Sequence, residues 1–213
     1  MGKVLASWRC GFLQVGILIF DDVEELDFVG PWEVLASVNQ VKPGSLGLKL
    51  VGTHSPVRAV NGMRVLPDIL LEDCSQLDLL IIPGGSGRQK QMVEQPTLDF
   101  VRQQYEGLTY LASVCTGTFI LLKAGLLDGK LATTHHSALE ELASYPEVEV
   151  VEERLTQSGN ILCAAGVTSG MDLAFFLVRQ LFGKSMAEQV ARRIEYPQPL
   201  DDIAPRVGGG SSY

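Results

Sequence analysis

Cys115 is the residue whose setting points most directly to chemistry. It lies in Tyr110-Leu111-Ala112-Ser113-Val114-Cys115-Thr116-Gly117-Thr118, and the helical run Phe119-Ile120-Leu121-Leu122-Lys123-Ala124-Gly125 follows at once. A β-prone stretch ends at the cysteine and a helix begins there. Small residues, Ser113 and Gly117, sit two positions to either side. This is the pattern of a nucleophile elbow with Cys in place of Ser: a sharp strand-to-helix turn crowds its own backbone and needs small flanks. Helix amides aimed at the sulfur favour thiolate over thiol. A buried core cysteine is the bland reading, and the strand–Cys–Thr–Gly–helix context selects the nucleophile.

Other residues can supply the rest of a site. Gly84 and Gly85, in Pro83-Gly84-Gly85-Ser86-Gly87, either turn the chain or let backbone N–H groups approach a reacting atom. In the second case the amides of Gly85 and Thr116 form a two-donor anion hole. The loop lacks both G-x-G-x-x-G and G-K-[ST] spacing, which argues against a phosphate ligand. His135 and His136 follow Thr133-Thr134 and have no helically spaced ligand partner, so no metal is expected. His135 can lie near Cys115 or serve structure alone. Phe28, Trp32, Val167 and Met171 are either core or the apolar lining of a substrate pocket. Asp172, on a mostly apolar helix, reads as a capping or structural carboxylate.

The elements that must position these residues alternate between strand and helix. Leu13 to Phe20 is a continuous apolar strand of the kind buried on both faces of a parallel sheet. Gly30-Pro31 opens a helix through Val38. Gly47 to Gly52 and Leu77 to Pro83 are further strands, and Met63 to Leu66 a short edge strand. Thr109 to Val114 carries the cysteine. Lys130 to Thr134, Val148 to Val151, Arg154 to Gln157 and Ile161 to Ala164 read as later strands, with a hairpin turn at Ser158-Gly159-Asn160. Ser169 to Phe182 and Met186 to Ile194 read as helices. Such alternation predicts an α/β fold, a mostly parallel sheet with helices on both faces. Sites in such sheets form where strands end and helices begin. There the loop bearing Glu24, Glu25, Leu26 and Asp27 meets the glycine loop and the elbow.

Bulk properties narrow the partners. The chain has 213 residues, 46% of them hydrophobic, which suits one domain over residues 13–200. Residues 1–12 read as an N-terminal extension and 201–213 as a flexible tail. The net charge of -8 repels phosphate backbones, so no nucleic acid is expected. Cys10, Cys74, Cys115 and Cys163 form no C-x-x-C pair, so neither zinc nor disulfides are expected and a reduced, cytoplasmic setting fits. No apolar run reaches the roughly 20 residues of a membrane helix, so no membrane partner is expected.

Across about Val15 to Pro197 the chain resembles the DJ-1/PfpI superfamily, and within it the isonitrile hydratase-like group. The resemblance rests on Leu26-Asp27-Phe28-Val29-Gly30-Pro31, Ile82-Pro83-Gly84-Gly85-Ser86-Gly87, Ser113-Val114-Cys115-Thr116-Gly117, Gly125-Leu126-Leu127-Asp128-Gly129-Lys130, Ala132-Thr133-Thr134-His135, Ala165-Gly166-Val167-Thr168-Ser169-Gly170-Met171-Asp172 and Glu195-Tyr196. It implies a flavodoxin-like three-layer sandwich, a homodimer, no cofactor, and a small-molecule substrate. It implies Cys115 as nucleophile, Asp27 as acidic partner and Thr116 as third polar member, with a hydroxyl that orients the Asp27–Cys115 contact. His135 falls where some branches place a catalytic histidine. The protease-like branch has His after its cysteine where this chain has Thr116, and the DJ-1 and glyoxalase branches usually carry Glu where it has Asp27. A related group adds a C-terminal DNA-binding module, for which no room is expected after Pro197. The implied activity is hydration of an isonitrile to a formamide. The alternatives are a cofactor-free glyoxalase acting on 2-oxoaldehydes and a cysteine redox sensor without turnover.

Overall fold

Seven residues from Leu13 to Ile19 form the first strand (β1), apolar and buried except for Gln14. Burying such side chains contributes about 1.5–3 kcal/mol each, which keeps β1 away from the edges of the sheet. In this computed structural model, which describes residues 12–197 and 199–208, the elements then follow in order. They are α1 (Glu25–Val41), β2 (Leu46–Gly52), β3 (Val57–Arg58), β4 (Arg64–Val65), β5 (Ile69–Leu70), β6 (Leu79–Ile82), α2 (Arg88–Gln91), α3 (Gln95–Tyr105), β7 (Tyr110–Val114) and α4 (Thr118–Lys123). After them come β8 (Lys130–Ala132), α5 (Leu139–Ala143), β9 (Val148–Val150), β10 (Leu155–Ser158), β11 (Ile161–Ala164), α6 (Ser169–Phe182), α7 (Lys184–Arg193) and β12 (Arg206–Val207).

The main sheet has eight strands in the order β12-β10-β11-β7-β6-β1-β2-β5. Every neighbouring pair is parallel except the β10–β11 hairpin. Helices α1, α6 and α7 pack on one another over one face, and α2, α3 and α4 cover the other. The expected α/β sandwich is therefore present. The parallel run β11-β7-β6-β1 sends four carboxyl-terminal loops to one edge: residues 20–24 after β1, Pro83–Gly87 after β6, Cys115 after β7 and Ala165–Thr168 after β11.

Several sequence expectations need correction. Helix α1 begins at Glu25, not at Gly30-Pro31, and Pro31 lies inside it. Acidic residues in the first turn, Glu25 and Asp27, favour the N-terminal end of the helix dipole. β4 pairs with β3 in a separate hairpin, and β8 pairs with β9 in a separate two-stranded sheet, so none of these joins the main sheet. Residues 201–208 are not a loose tail: Arg206 and Val207 add β12 to the edge of β10. The reason lies in the preceding segment. Ile203 is buried, Arg179 donates to the carbonyls of Leu200 and Ile203 at 2.8 and 2.6 Å, and Lys184 pairs with Asp201 at 2.8 Å. The rest of the predicted tail, 209–213, lies outside the described residues. So does the predicted extension, with Cys10, except for Phe12.

Candidate active site

Cys115 directly follows β7 with φ at +56°, a left-handed conformation that costs a non-glycine residue about 1–2 kcal/mol. Its neighbours hold it there. The Cys115 N–H donates to the Ala165 carbonyl at 2.7 Å, and the Thr134 hydroxyl donates to the Cys115 carbonyl at 2.8 Å. The single hydroxyl proton of Thr118 serves either the Thr133 carbonyl at 2.9 Å or the Cys115 carbonyl at 3.3 Å. The buried Ser113 hydroxyl meets Thr118 Oγ1 at 2.9 Å. The small flanks answer to real crowding, since a Cβ on Gly117 would lie 2.2 Å from the Ile82 carbonyl oxygen.

Asp27 reaches the elbow from the first turn of α1 and is fully buried. Its Oδ2 accepts the Gly84 N–H at 3.0 Å. Its Oδ1 has no hydrogen-bond partner among the described residues and is free for the Cys115 thiol. The glycine loop locks against the β1–α1 loop: the Glu24 N–H donates to the Gly84 carbonyl at 3.0 Å. Gly85, at φ +119°, has no room for a side chain, because a Cβ would lie 2.3 Å from the Asp22 carbonyl oxygen.

Burial pushes the Asp27 carboxyl up to about 7, the Gly84 amide works against it, and Glu24 adds to it. Burial also pushes the Cys115 thiol up to about 12, with the Asp27 charge adding to it. The amides of Thr116 and Val167 stabilise the sulfur anion and pull the other way. The Thr116 amide at the elbow thus favours the anion, as its place after the strand predicts. The effect of these amides is outweighed, and the resting residue is a thiol. Between these two values the pair holds one proton and titrates as a unit.

The expected anion hole does not assemble in this arrangement. The Gly85 N–H donates to Thr116 Oγ1 at 3.1 Å, and the Thr116 amide is turned to the sulfur. The Thr116 hydroxyl therefore ties the elbow to the glycine loop and does not bridge Asp27 and Cys115.

A cavity of about 270 Å³ opens above the sulfur, lined by Glu24, Gly85, Arg88, Cys115, His135 and Val167 among others. Val167 lines it as the sequence reading allowed. Phe28, Trp32 and Met171 do not line it and pack with the core instead, because α1 and α6 are pressed together: a Cβ on Gly30 would lie 3.1 Å from Met171 Cγ. His135 lies at the cavity wall, its Nδ1 accepting the Ser137 N–H at 3.3 Å. Burial and the neighbouring His136 lower its pKa, which favours the neutral ring. Asp172 is structural, accepting from Arg154 Nε and the Tyr196 hydroxyl.

A family model described as the DJ-1/PfpI family matches residues 13–180. The chain belongs to the DJ-1/PfpI family. It is similar to isonitrile hydratase of Pseudomonas putida, 39% identical over 198 residues that cover 91% of this chain and 83% of that protein. It is also similar to the Parkinson disease protein 7 homolog of Danio rerio, 27% identical over 82% of this chain and 92% of that one. Among solved structures, a THiJ/PfpI family protein from Pseudomonas syringae superimposes with a TM-score of 0.81 at 29% identity, covering 93% of this chain and 81% of that chain.

Sequence reasoning missed several residues of this DJ-1/PfpI site. Thr118 and Thr134 hold the elbow through the Cys115 carbonyl, and nothing in their spacing announces a contact across the chain. Arg88 closes one wall. Its guanidinium lies 4.0 Å from the Phe119 ring centroid and pairs with Glu141 at 2.5 Å. Only its place just after the glycine loop hinted at a role.

Proposed function

We propose that the protein hydrates isonitriles, converting R–N≡C and water to the formamide R–NH–CHO. The observation that carries this reading is the buried Asp27–Cys115 pair, which shares one mobile proton at the floor of a small cavity. The identity to the Pseudomonas putida isonitrile hydratase over most of both chains points to the substrate class.

An isonitrile carbon accepts a nucleophile and then needs a proton. In the first step Asp27 takes the Cys115 proton as the S–C bond forms and returns it to that carbon, giving the thioimidate R–N=CH–S–Cys. Water then adds to the same carbon. One water proton passes through Asp27 to nitrogen, giving R–NH–CH(OH)–S–Cys. Collapse of this adduct breaks the C–S bond, releases R–NH–CHO and returns the hydroxyl proton to sulfur through Asp27. The amides of Thr116 and Val167 hold the sulfur as it gains charge on leaving.

The alternatives find less support. A redox sensor needs an accessible thiol of low pKa, whereas Cys115 is 7% exposed with its pKa raised. A glyoxalase using His135 as base needs an imidazole nitrogen free for the substrate, yet Nδ1 is turned to Ser137.

Incubation with a simple organic isonitrile, followed by NMR, tests the assignment. Formamide should accumulate over many turnovers, and an unchanged isonitrile would end it.

A further inference from the structure

The cavity over Cys115 is small for a ligand site, since drug-sized ligands occupy about 300–1,000 Å³. A second cavity of about 370 Å³ adjoins it, and His135 and Val167 line both. The two together provide ordinary ligand volume. An isonitrile group bonded at Cys115 would direct its substituent past His135 into the second chamber.

Arg154 lines that chamber. Its Nε donates to Asp172, a carboxylate only 1% exposed that also accepts the Tyr196 hydroxyl. Its Nη2 lies 3.3 Å from the Thr168 hydroxyl. These contacts fix the guanidinium plane while the side chain stays 47% exposed, and Nη1 has no hydrogen-bond partner among the described residues. A guanidinium held this way presents a planar fork that matches a carboxylate. Ser169 also borders the chamber, but its hydroxyl oxygen is itself buried, so Arg154 is the group that faces a ligand there. Ser169 opens the fourteen-residue helix α6, whose N-terminal end favours negative charge. Glu152 and Glu153 stand exposed on the rim. Glu153 is engaged by Arg206 at 3.3 Å, which leaves Glu152 on the rim, with the Asp172 carboxylate behind Arg154, to oppose an acid ligand.

We propose that this chamber is the distal subsite of the active site and that it reads a carboxylate on the far end of the substrate. The assignment rests on the hydratase reading, and it narrows the substrate class to elongated isonitriles bearing an acid group. Cys115 and Asp27 act on the isonitrile carbon, and Arg154 holds the opposite end.

The test compares an ω-isocyanoalkanoate with its methyl ester as substrates, and the matching N-formyl amino acid with its methyl ester in calorimetric binding. The acid should exceed the ester by at least about tenfold in kcat/KM, the worth of one charge-assisted bond. An ester handled as well as the acid overturns the subsite. If neither isonitrile is hydrated, the hydratase reading fails by itself and the binding arm still decides the subsite. Tighter binding of the N-formyl acid sustains it, and equal or weaker binding overturns it. Arg154→Gln, checked for folding by its melting temperature, should shrink the preference below about threefold. Because that change leaves buried Asp172 unpaired, Glu152→Gln on the rim serves as second variant. It should widen the preference for the acid, and a narrowing would count against the subsite.

Discussion

Asp27 and Cys115 behave as one acid because two negative charges cannot be held side by side in a buried site. Their individual roles follow from that. Asp27 must be ionised to take the thiol proton, so kcat/KM should rise with pH through about 7. Asp27→Asn should abolish that limb and lower turnover by about 10²–10⁴-fold, the usual contribution of a positioned acid–base group. Alkylation of Cys115 at pH 8 should become faster in the same variant, because the like charge that raises the thiol is gone. Slower alkylation would show that Asp27 activates the thiol and does not restrain it. Stability carries the same signature. The folded-state value of Asp27 lies above its ordinary 3.8, so folding favours the protonated form. That contribution is full below about pH 4 and is lost as pH rises through about 7. Asp27→Asn mimics the neutral form, and its melting temperature relative to wild type should improve more at pH 8 than at pH 4. An equal shift at both pH values would remove the burial argument.

At the scale of the element, the elbow depends on how closely β6 and the turn after β7 approach. The atom a Gly117 Cβ would meet is backbone, the Ile82 carbonyl oxygen, so it cannot swing aside. Gly117→Ala should cost about 1–3 kcal/mol in denaturant melts, as overpacking does, and should depress activity by displacing Cys115. Near-normal stability and turnover would mean the turn is looser than drawn. This element was legible from sequence because small flanks around a cysteine between strand and helix have few other uses. The start of α1 was not. Glu24, at its N-cap, makes no side-chain cap bond, so the usual Ser/Thr/Asp/Asn signal is missing and Gly30-Pro31 looked like the beginning. The pairing of β3 with β4 and of β8 with β9 was also invisible, since strands of two or three residues carry too little pattern to choose a partner. Cys115 and Asp27 could be named in advance, the latter through a resemblance. The hydroxyl contacts of Thr116, Thr118 and Thr134 and the raised thiol could not, because they depend on burial and on loops that meet only in three dimensions.

Across the whole molecule, the alternation of apolar strands and helices predicted the sandwich, and the parallel run β11-β7-β6-β1 explains why one edge collects the site. Four segments separated by tens of residues each deliver a part: Asp27 from the first turn of α1, the Gly84 amide, Cys115 and the Val167 amide. The closing segment escaped prediction because two residues of edge strand leave no hydrophobic period, and its anchor is Arg179 reaching backbone carbonyls. The assembled pair at that edge is tested most directly by formamide production from an organic isonitrile, compared between wild type and Cys115→Ala. The predicted result is sustained turnover in wild type and almost none in a variant that melts normally. Turnover in Cys115→Ala near the wild-type rate would contradict covalent hydration at Cys115.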